Sequence, residues 1–197
     1  MITGSEAESR ALMMNAAIHT VAQFRFEGFT TKKWAAEAGV AEGSLYYHFK
    51  SKHDLLDETF FMIDHEIADL ISDPSAVPEV REELRAFVEQ QWITYYHYLL
   101  DNPQKTLYYY RFKNSPRFTD AVQKREETYF DSFVRLVEAI DAVVHFADQI
   151  TIEVLWYFIM DVTTAIAFRV ITGGAVHSRK TEHEALGLIM NGITSLS

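Results

Sequence analysis

Hydroxyl, aromatic and lysine side chains are concentrated in residues 28–56, whose sequence is GFTTKKWAAEAGVAEGSLYYHFKSKHDLL. Hydroxyl and ammonium groups donate hydrogen bonds to phosphates, and small or aromatic side chains at the start of a helix can contact base edges in a DNA major groove. The positions of Gly28, Gly39 and Gly43 predict two short helices joined by a tight turn. This pattern is typical of a helix-turn-helix whose second helix reads DNA.

The second helix of this pair is predicted over Glu42–Phe49. Leu45 and Phe49 lie one turn apart and should face the core of the N-terminal head. The outward side then carries Ser44, Tyr46, Tyr47 and His48. Ser44 is near the helix N-terminus, where it can reach a base or a phosphate, and Gly43 allows the backbone to approach closely.

Four lysines are spaced to bracket the groove as phosphate anchors, namely Lys32, Lys33, Lys50 and Lys52. Tyr47 offers a ring for a thymine methyl group and a hydroxyl for a phosphate. His48 and His53 could in principle bind a metal ion, but their spacing puts them on different faces of a helix, so a phosphate donor is the preferred interpretation of His48.

These residues resemble the TetR-type (TetR/AcrR) transcriptional regulators, and the resemblance covers roughly residues 10–56. The matching positions are Gly28-Phe29-Thr30-Thr31, Ala35, Ala38-Gly39-Val40, Gly43, Leu45-Tyr46, His48-Phe49, Lys50-Ser51-Lys52 and Leu55-Leu56. The run AGVAEGSLYYHFKSK is specific because residue types and spacing match together.

The resemblance implies roles for individual residues and an overall architecture. Thr31 and Lys32 would touch phosphates, and Ser44 and Tyr47 would read bases. Phosphates would also be held by Tyr46, His48 and Lys52. The family further implies a homodimer, in which the last two helices of each subunit form a four-helix interface, and a ligand pocket in the body.

Three positions depart from the usual family pattern. Arg25 stands where a glycine commonly ends the first helix, so we expect that helix to close without a left-handed cap. Ala41 replaces the common Ser or Thr cap of the recognition helix, which removes about 1 kcal/mol of capping. Trp34 occupies a core position that is usually aliphatic.

Composition favours a cytoplasmic globular protein that is not an enzyme. The chain has 197 residues, 48% of them hydrophobic, and no cysteine. Without cysteine there is no disulfide framework and no thiolate metal site. The sequence has no signal region, no clear membrane span, no nucleotide-binding motif and no catalytic motif, so we expect no membrane association, no cofactor and no metal.

The net charge of −10 is unevenly distributed. Residues 1–55 hold six basic and six acidic residues, whereas residues 56–197 hold 12 basic and 22 acidic ones, which accounts for the whole excess. Because DNA repels the acidic body, this distribution should help to orient the neutral head towards it.

The pattern of apolar residues predicts an all-α protein of about nine helices. A helix-turn-helix DNA-binding domain over residues 1–52 is followed by a helical ligand-binding and dimerisation domain over residues 53–197, and a helix at about 51–71 connects them. The later helical patterns cover about 79–101, 103–112, 117–143, 147–172 and 181–195.

Aromatic residues are unusually dense in this body. This density is typical of a pocket for a flat or apolar molecule, and ordinary core packing is the alternative interpretation. The candidate ligand-binding residues are Trp92, Tyr96, Tyr109, Phe112, Phe130, Phe133, Tyr157 and Asp161. Asp161 is an acid in apolar surroundings, which is costly unless it is paired. Its partner could be a cationic ligand, a polar group across a dimer, or Arg169.

The last two helices supply the candidate dimer interface. Its residues are Ile150, Val154, Phe158, Ile166, Leu186, Ile189, Met190 and Ile193. The sequence thus predicts a dimeric regulator, most simply a repressor, that binds a double-stranded, pseudo-palindromic operator and is released by an unidentified small hydrophobic or aromatic effector. The alternative is a DNA-bound scaffold of the same fold whose body is controlled by a protein partner.

Overall fold

The computed structural model describes residues 4–70, 73–128, 130–144, 151, 154–155 and 157–194. Across these residues the protein has ten α-helices and no strand, which confirms the all-α prediction. None of the helices in this part of the chain combines the length and the apolar character needed to cross a bilayer.

The helices follow one another in chain order from the head into the body. The head contains α1 (Gly4–Phe24), α2 (Thr31–Ala38) and α3 (Leu45–His48), with a 3-10 turn at Glu42–Ser44 before α3. The body contains α4 (Lys52–Ala68), α5 (Arg81–Asp101), α6 (Pro103–Lys113), α7 (Asp120–Glu127), α8 (Asp131–Val144), α9 (Val162–Ile171) and α10 (Arg179–Thr194).

Local sequence signals explain the bounds of α2. The Thr30 side chain caps its N-terminus by accepting a hydrogen bond from the Lys33 backbone N–H at 3.2 Å. Gly39 ends it in the left-handed conformation, with φ of 67°. Trp34 is fully buried between these ends, and its Nε1 donates to the Met13 carbonyl at 2.9 Å. The indole therefore ties α2 to α1.

The end of α1 differs from the prediction. Arg25 has φ of 57°, so this helix does close with a left-handed residue although it is not a glycine. Such a conformation costs about 1–2 kcal/mol in a residue with a side chain. Arg111 of α6 donates to the carbonyls of Val21 and Ala22 at 2.8 and 3.1 Å, which satisfies acceptors at the helix end. This tertiary contact offsets the local cost.

One long helix of the prediction is broken in the structure, and a second contains a π-helical turn. The pattern at 117–143 forms α7 and α8 instead. The Thr119 side chain caps the start of α7. At the end of α7, the Thr128 hydroxyl donates to the Arg125 carbonyl at 2.7 Å. In the pattern at 147–172, a π-helical turn over Tyr157–Asp161 precedes α9. A π turn is wider than an α turn and changes the direction of the following side chains.

The helix that connects head and body is α4, capped by Ser51, whose side chain accepts from the Asp54 N–H at 3.1 Å. Phe60 of α4 is fully buried. Its ring stacks on those of Tyr109 and Phe112 of α6, at centroid distances of 5.1 and 4.4 Å. The aromatic density of the body is therefore partly a core that fixes α6 on α4.

Replacement of Gly28 by alanine should destabilise the head. A Cβ at this position would lie 2.4 Å from the Phe24 carbonyl oxygen, so the backbone would have to move. We expect a loss of about 1–3 kcal/mol in the free energy of unfolding, measured by urea titration followed by circular dichroism. Gly43→Ala is the matched control, because a Cβ there meets nothing within 4 Å. Equal stability of the two variants would contradict this account of Gly28.

Candidate nucleic-acid interface and cavity

The short helix α3 presents two tyrosine rings to solvent. Tyr46 is 67% exposed and Tyr47 is 81% exposed. Leu45 and Phe49, on the opposite side, are 0% and 2% exposed and belong to the core of the head. The orientation predicted from the spacing of these residues is confirmed, and it leaves the tyrosine rings available to a ligand outside the protein.

The turn that leads into α3 is held from α2. Ala41 provides no side-chain cap, as its type predicts. The Thr31 hydroxyl donates instead to the Glu42 carboxylate at 2.8 Å, which joins the first residue of α2 to the turn. Gly43 has open space around its Cα, and Ser44 is partly exposed. The backbone near Gly43 is therefore open to close approach by a ligand.

The four predicted phosphate anchors differ in their surroundings. Lys32 and Lys50 are exposed. The Lys52 ammonium lies 5.9 Å from the centroid of the Phe29 ring. Lys33 is turned back onto the head, where its Nζ donates to the Gly28 carbonyl at 2.9 Å and lies 4.0 Å from the Phe24 ring centroid. Lys33 would have to leave these contacts to reach a phosphate.

His48 is held at the end of α3 by a residue that sequence reasoning missed. The Arg10 guanidinium donates to the His48 carbonyl and lies 4.4 Å from the Phe49 ring centroid. The His48 ring meets the Tyr47 ring edge-on, and its Nδ1 is buried without a hydrogen-bond partner among the described residues. A phosphate contact by His48 would therefore have to use Nε2.

A cavity of about 620 Å³ opens in the body between α6, α7, α8 and α9. Of the predicted ligand-binding residues, Phe130, Phe133, Tyr157 and Asp161 line it. Its wall also contains Tyr110, Lys113, Asn114, Phe118, Gln123, Glu126, Glu127, Val134, Val162, Thr164 and Ala165. The cavity is large enough for a drug-sized molecule, and most of its surface is apolar.

The other predicted ligand-binding aromatics do not line this cavity. Phe112 and Tyr109 are 0% and 2% exposed because they pack against α4. Tyr96 is 2% exposed and stacks on Trp92. Trp92 contributes to a separate apolar space of about 100 Å³, which shares only the Phe133 side chain with the larger cavity.

Lys113 forms the polar end of the larger cavity. Its Nζ lies 3.0 Å from Glu126 and 3.1 Å from Asp161. Asp161 is thus paired by Lys113 of α6, whereas the partners considered from the sequence were a cationic ligand, a polar group across a dimer and Arg169. Burial acts to lower the pKa of Lys113, but the two carboxylates outweigh it and raise the pKa. The side chain of Lys113 therefore carries its charge although it is only 11% exposed.

One further carboxyl group, that of Asp64, is connected to Glu126 through Tyr109. The Tyr109 hydroxyl lies 3.0 Å from Asp64 of α4 and 3.2 Å from Glu126 of α7, and it has one proton to donate. Burial raises the pKa of Asp64 to about 8, and the Glu126 carboxylate adds to this increase. Burial also raises the pKa of Glu126, against the effect of Lys113. Near neutral pH the Asp64 carboxyl therefore retains a proton.

These polar residues were missed in the sequence, although one signal was available. Asp64 follows Phe60 by four residues and precedes Ile67 by three, so it lies on the apolar face of α4. All three side chains are buried. Lys113 and Glu126 had no such signal, because their proximity depends on the packing of α6 against α7.

The structure revises the residues predicted for a dimer interface. Leu186, Ile189 and Met190 are 9%, 3% and 2% exposed because they pack inside the single chain, so they have little surface to offer a partner. Ile166 is partly exposed, whereas Val154 and Phe158 are 52% and 40% exposed. Ile150 and the side chain of Ile193 lie outside the described residues.

Residues 14–59, which contain the helix-turn-helix, match the family described as bacterial regulatory proteins, tetR family. This match covers the head, so the chain is similar to the TetR family in its helix-turn-helix. The match supports the prediction that the head binds DNA.

TetR-family likeness extends over the whole chain. The HTH-type transcriptional repressor KstR2 of Mycobacterium tuberculosis is 23% identical over 202 residues, which cover 98% of this chain and 96% of the repressor. The crystal structure of a TetR family regulator from Marinobacter aquaeolei VT8 superposes with a TM-score of 0.74 at 21% identity, covering 95% of this chain and 96% of that one.

A second structural relative contains a ligand. FadR from Bacillus subtilis, solved in complex with stearoyl-CoA, has a TM-score of 0.65 at 15% identity, and the match covers 92% of this chain and 98% of that one. At this identity the likeness establishes the shared fold alone.

The protonated Asp64 predicts a pH dependence of stability. The unfolded carboxyl loses its proton near pH 3.8, whereas the folded one holds it to about pH 8, so the folded state binds more protons between these values and its stability falls as pH rises. Asp64→Asn should remove this decrease in stability with rising pH. The variant should therefore gain stability relative to the native protein with increasing pH, by at most about 1.4 kcal/mol per pH unit.

The measurement is urea unfolding of both proteins at a series of pH values between 4 and 8. Asp69→Asn is the control, because Asp69 is exposed at the end of the same helix. Its difference from the native protein should not change over this range. If the unfolding free energies of Asp64→Asn and the native protein changed in parallel with pH, Asp64 would already be ionised in the folded protein at pH 4.

Proposed function

We propose that this regulator is a homodimeric repressor that leaves a pseudo-palindromic operator when a small, largely apolar molecule enters its cavity. The observation that carries the proposal is the cavity of about 620 Å³, whose polar end connects by hydrogen bonds and ion pairs to the helix that follows the recognition helix. A body packed solid would have favoured the alternative of a scaffold controlled by a protein partner.

The DNA-contacting surface is proposed to be α3 with the residues that flank it. The exposure of Tyr47 (81%) and the open backbone at Gly43 support base reading by Tyr47 and Ser44. Tyr46 and His48 are proposed to hold phosphates. The remaining proposed phosphate contacts are Thr31, Lys32, Lys33, Lys50 and Lys52, with Lys33 contributing only if it leaves the Gly28 carbonyl.

A dimer is proposed because helix-turn-helix proteins commonly read two half-sites about 34–36 Å apart, which needs two heads. Exposed apolar side chains in the last part of the chain support an interface there. Val154, Phe158 and Leu188 are 52%, 40% and 73% exposed. Large apolar side chains exposed in this way are candidates for contact with another protein. We therefore propose that the interface includes Val154, Phe158 and α10, with Leu188 in place of its buried neighbours.

The proposed route from effector to DNA runs through charged contacts between the cavity and α4. Asp161 in the cavity wall pairs with Lys113, Lys113 pairs with Glu126, and the Tyr109 hydroxyl joins Glu126 to Asp64. Asp64 lies twelve residues after the first residue of α4, a distance of about 18 Å along a helix. A molecule that alters the pairing of Asp161 therefore acts on a group that α4 carries.

The energy needed for such a switch is small. Differential binding of about 1–3 kcal/mol between the two conformers changes operator affinity by roughly 5–150-fold. One charge-assisted hydrogen bond that forms in only one conformer contributes about 1.5–3 kcal/mol. A single contact at the polar end of the cavity therefore supplies enough free energy for the switch.

Tyr47→Ala should reduce specific operator binding much more than non-specific binding, because the ring is proposed to contact bases. The operator is first obtained by selection of bound DNA from a random pool, and affinities are then measured by fluorescence anisotropy at several salt concentrations. Lys52→Ala is the comparison. It should weaken binding to all sequences and reduce the salt slope by about one unit. Equal losses of specific and non-specific affinity in Tyr47→Ala would exclude it as a base reader.

Ala165→Phe should produce a repressor that no longer responds to its effector. Ala165 lines the cavity, so a phenyl ring there occupies ligand space far from the DNA surface. We expect operator affinity within about twofold of the native value and a loss of at least tenfold in response to compounds that release the native protein. Ala121→Phe, on the exposed side of α7, is the control and should respond normally. A normal response of Ala165→Phe would contradict the assignment of the effector site.

A further inference from the structure

We propose that the cavity selects apolar molecules that carry a positive charge, with the cationic group bound at Asp161 and Glu127 and the apolar part between α8 and α9. This inference rests on the proposed effector function and adds the chemical class of the effector.

The charge balance of the cavity favours a cation. Among its described lining residues there are three carboxyl groups, Glu126, Glu127 and Asp161, and one ammonium group, Lys113. Even with a proton on Glu126, whose pKa is raised by burial, the wall has no excess of positive charge. An incoming anion would therefore meet net repulsion, whereas a cation would be attracted.

The single ammonium group is already engaged. Lys113 lies 3.0 Å from Glu126 and 3.1 Å from Asp161, and its side chain is 11% exposed. A carboxylate or phosphate ligand would have to displace one of these partners and leave a carboxylate without its counter-ion. Because an unpaired charge is costly where water is scarce, displacement of Glu126, whose side chain is 6% exposed, is unfavourable.

The acidic groups, in contrast, retain room for a ligand. The Asp161 side chain is 45% exposed, and its contact with Lys113 uses Oδ1. Glu127 is exposed at the same cavity. An ammonium group can therefore bind Asp161 through Oδ2 while Lys113 keeps Oδ1, and Glu127 adds a second negative charge to the same cavity. The Tyr157 ring, 41% exposed in the cavity wall, offers an additional face that attracts cations.

The apolar part of the cavity lining is suited to an apolar tail. It includes Phe130, Phe133, Val134, Val162 and Ala165, and none of these side chains has a polar group. Phe133 also borders the smaller apolar space of about 100 Å³, so a rotation of this side chain would extend the binding site inwards. A molecule that is cationic at one end and apolar at the other matches both parts of the lining.

This class differs from the ligand of a structural relative. FadR of Bacillus subtilis was solved with stearoyl-CoA, a thioester whose nucleotide part carries several phosphate charges. Phosphates are usually held by arginine and lysine side chains. In the part of this cavity that the structure describes, Lys113 is the only such side chain, and two carboxylates surround it.

The test compares molecules that share a tail and differ in charge. Decylamine, decanol and decanoate are each titrated into the full-length protein by isothermal calorimetry at neutral pH, with stearoyl-CoA as a fourth probe. The same compounds are added to the protein bound to its selected operator. We expect decylamine to bind about tenfold more tightly than decanol, to bind much more tightly than decanoate, and to release the DNA.

Asp161→Asn tests whether the charge acts at the proposed position. We expect decylamine affinity to fall about tenfold and decanol affinity to stay within twofold. Decanoate affinity should rise, because Lys113 then has one carboxylate fewer. Glu127→Gln, at an exposed position, should show a smaller change in the same direction and does not depend on the buried contacts. Glu89→Gln removes a carboxylate on α5 outside the cavity and is the matched control.

The outcomes separate this inference from the proposed function. Tighter binding of decanoate or stearoyl-CoA than of decylamine, with release of DNA, would overturn the charge preference and leave the effector cavity in place. Equal affinity for decylamine and decanol would also overturn the charge preference and leave the effector cavity in place. An Asp161→Asn variant that binds decylamine normally would have the same consequence. If none of the four compounds bound, the cationic class and the effector role of the cavity would both fail.

Discussion

The burial of α4 against both halves of the molecule is the constraint on which the rest of the structure depends. Near its start, Leu55 and Leu56 are buried, and α1 of the head packs on this helix. Further along, the Phe60 ring stacks on two rings of α6. Since one rigid helix contributes to both cores, the head cannot change its position without a change in the packing of the body.

Polar contacts make this connection specific. Arg117 donates to Asp57 at 2.5 Å and Arg125 donates to Glu58 at 2.7 Å, so the segments on either side of the start of α7 are joined to α4 by ion pairs. Arg111 of α6 joins the body to the end of α1. These contacts require particular geometries, whereas apolar contacts tolerate sliding. They therefore fix the orientation of the head in the described conformation.

Glu126 lines the cavity, Asp64 shares the Tyr109 hydroxyl with it, and both acids are buried. A buried carboxyl group is costly unless a proton or a counter-ion neutralises it. Asp64 is neutralised by a proton, because burial raises its pKa to about 8, and Glu126 is neutralised by its ion pair with Lys113. A new charge near Lys113 changes the electrostatic potential at both acids. This is the physical reason to link the cavity with α4.

The head and the body differ in how far the sequence could determine them. The sequence by itself specified the all-α class, the helix-turn-helix, and the outward direction of Tyr46 and Tyr47, because these depend on caps, glycines and spacing within a few residues of one another. Even there, the left-handed Arg25 escaped prediction, since its compensating contact comes from Arg111, far away in the chain.

The larger errors were in the body, where helical spacing identifies an apolar face but not what that face meets. Phe112 and Phe130 have equally aromatic side chains, yet the first packs on α4 and the second lines the cavity. Likewise Asp161 pairs with Lys113, which no local pattern indicated. Only the tertiary structure decided which aromatics form core, which form the cavity and which charges meet there, because those outcomes depend on how separate helices pack against one another.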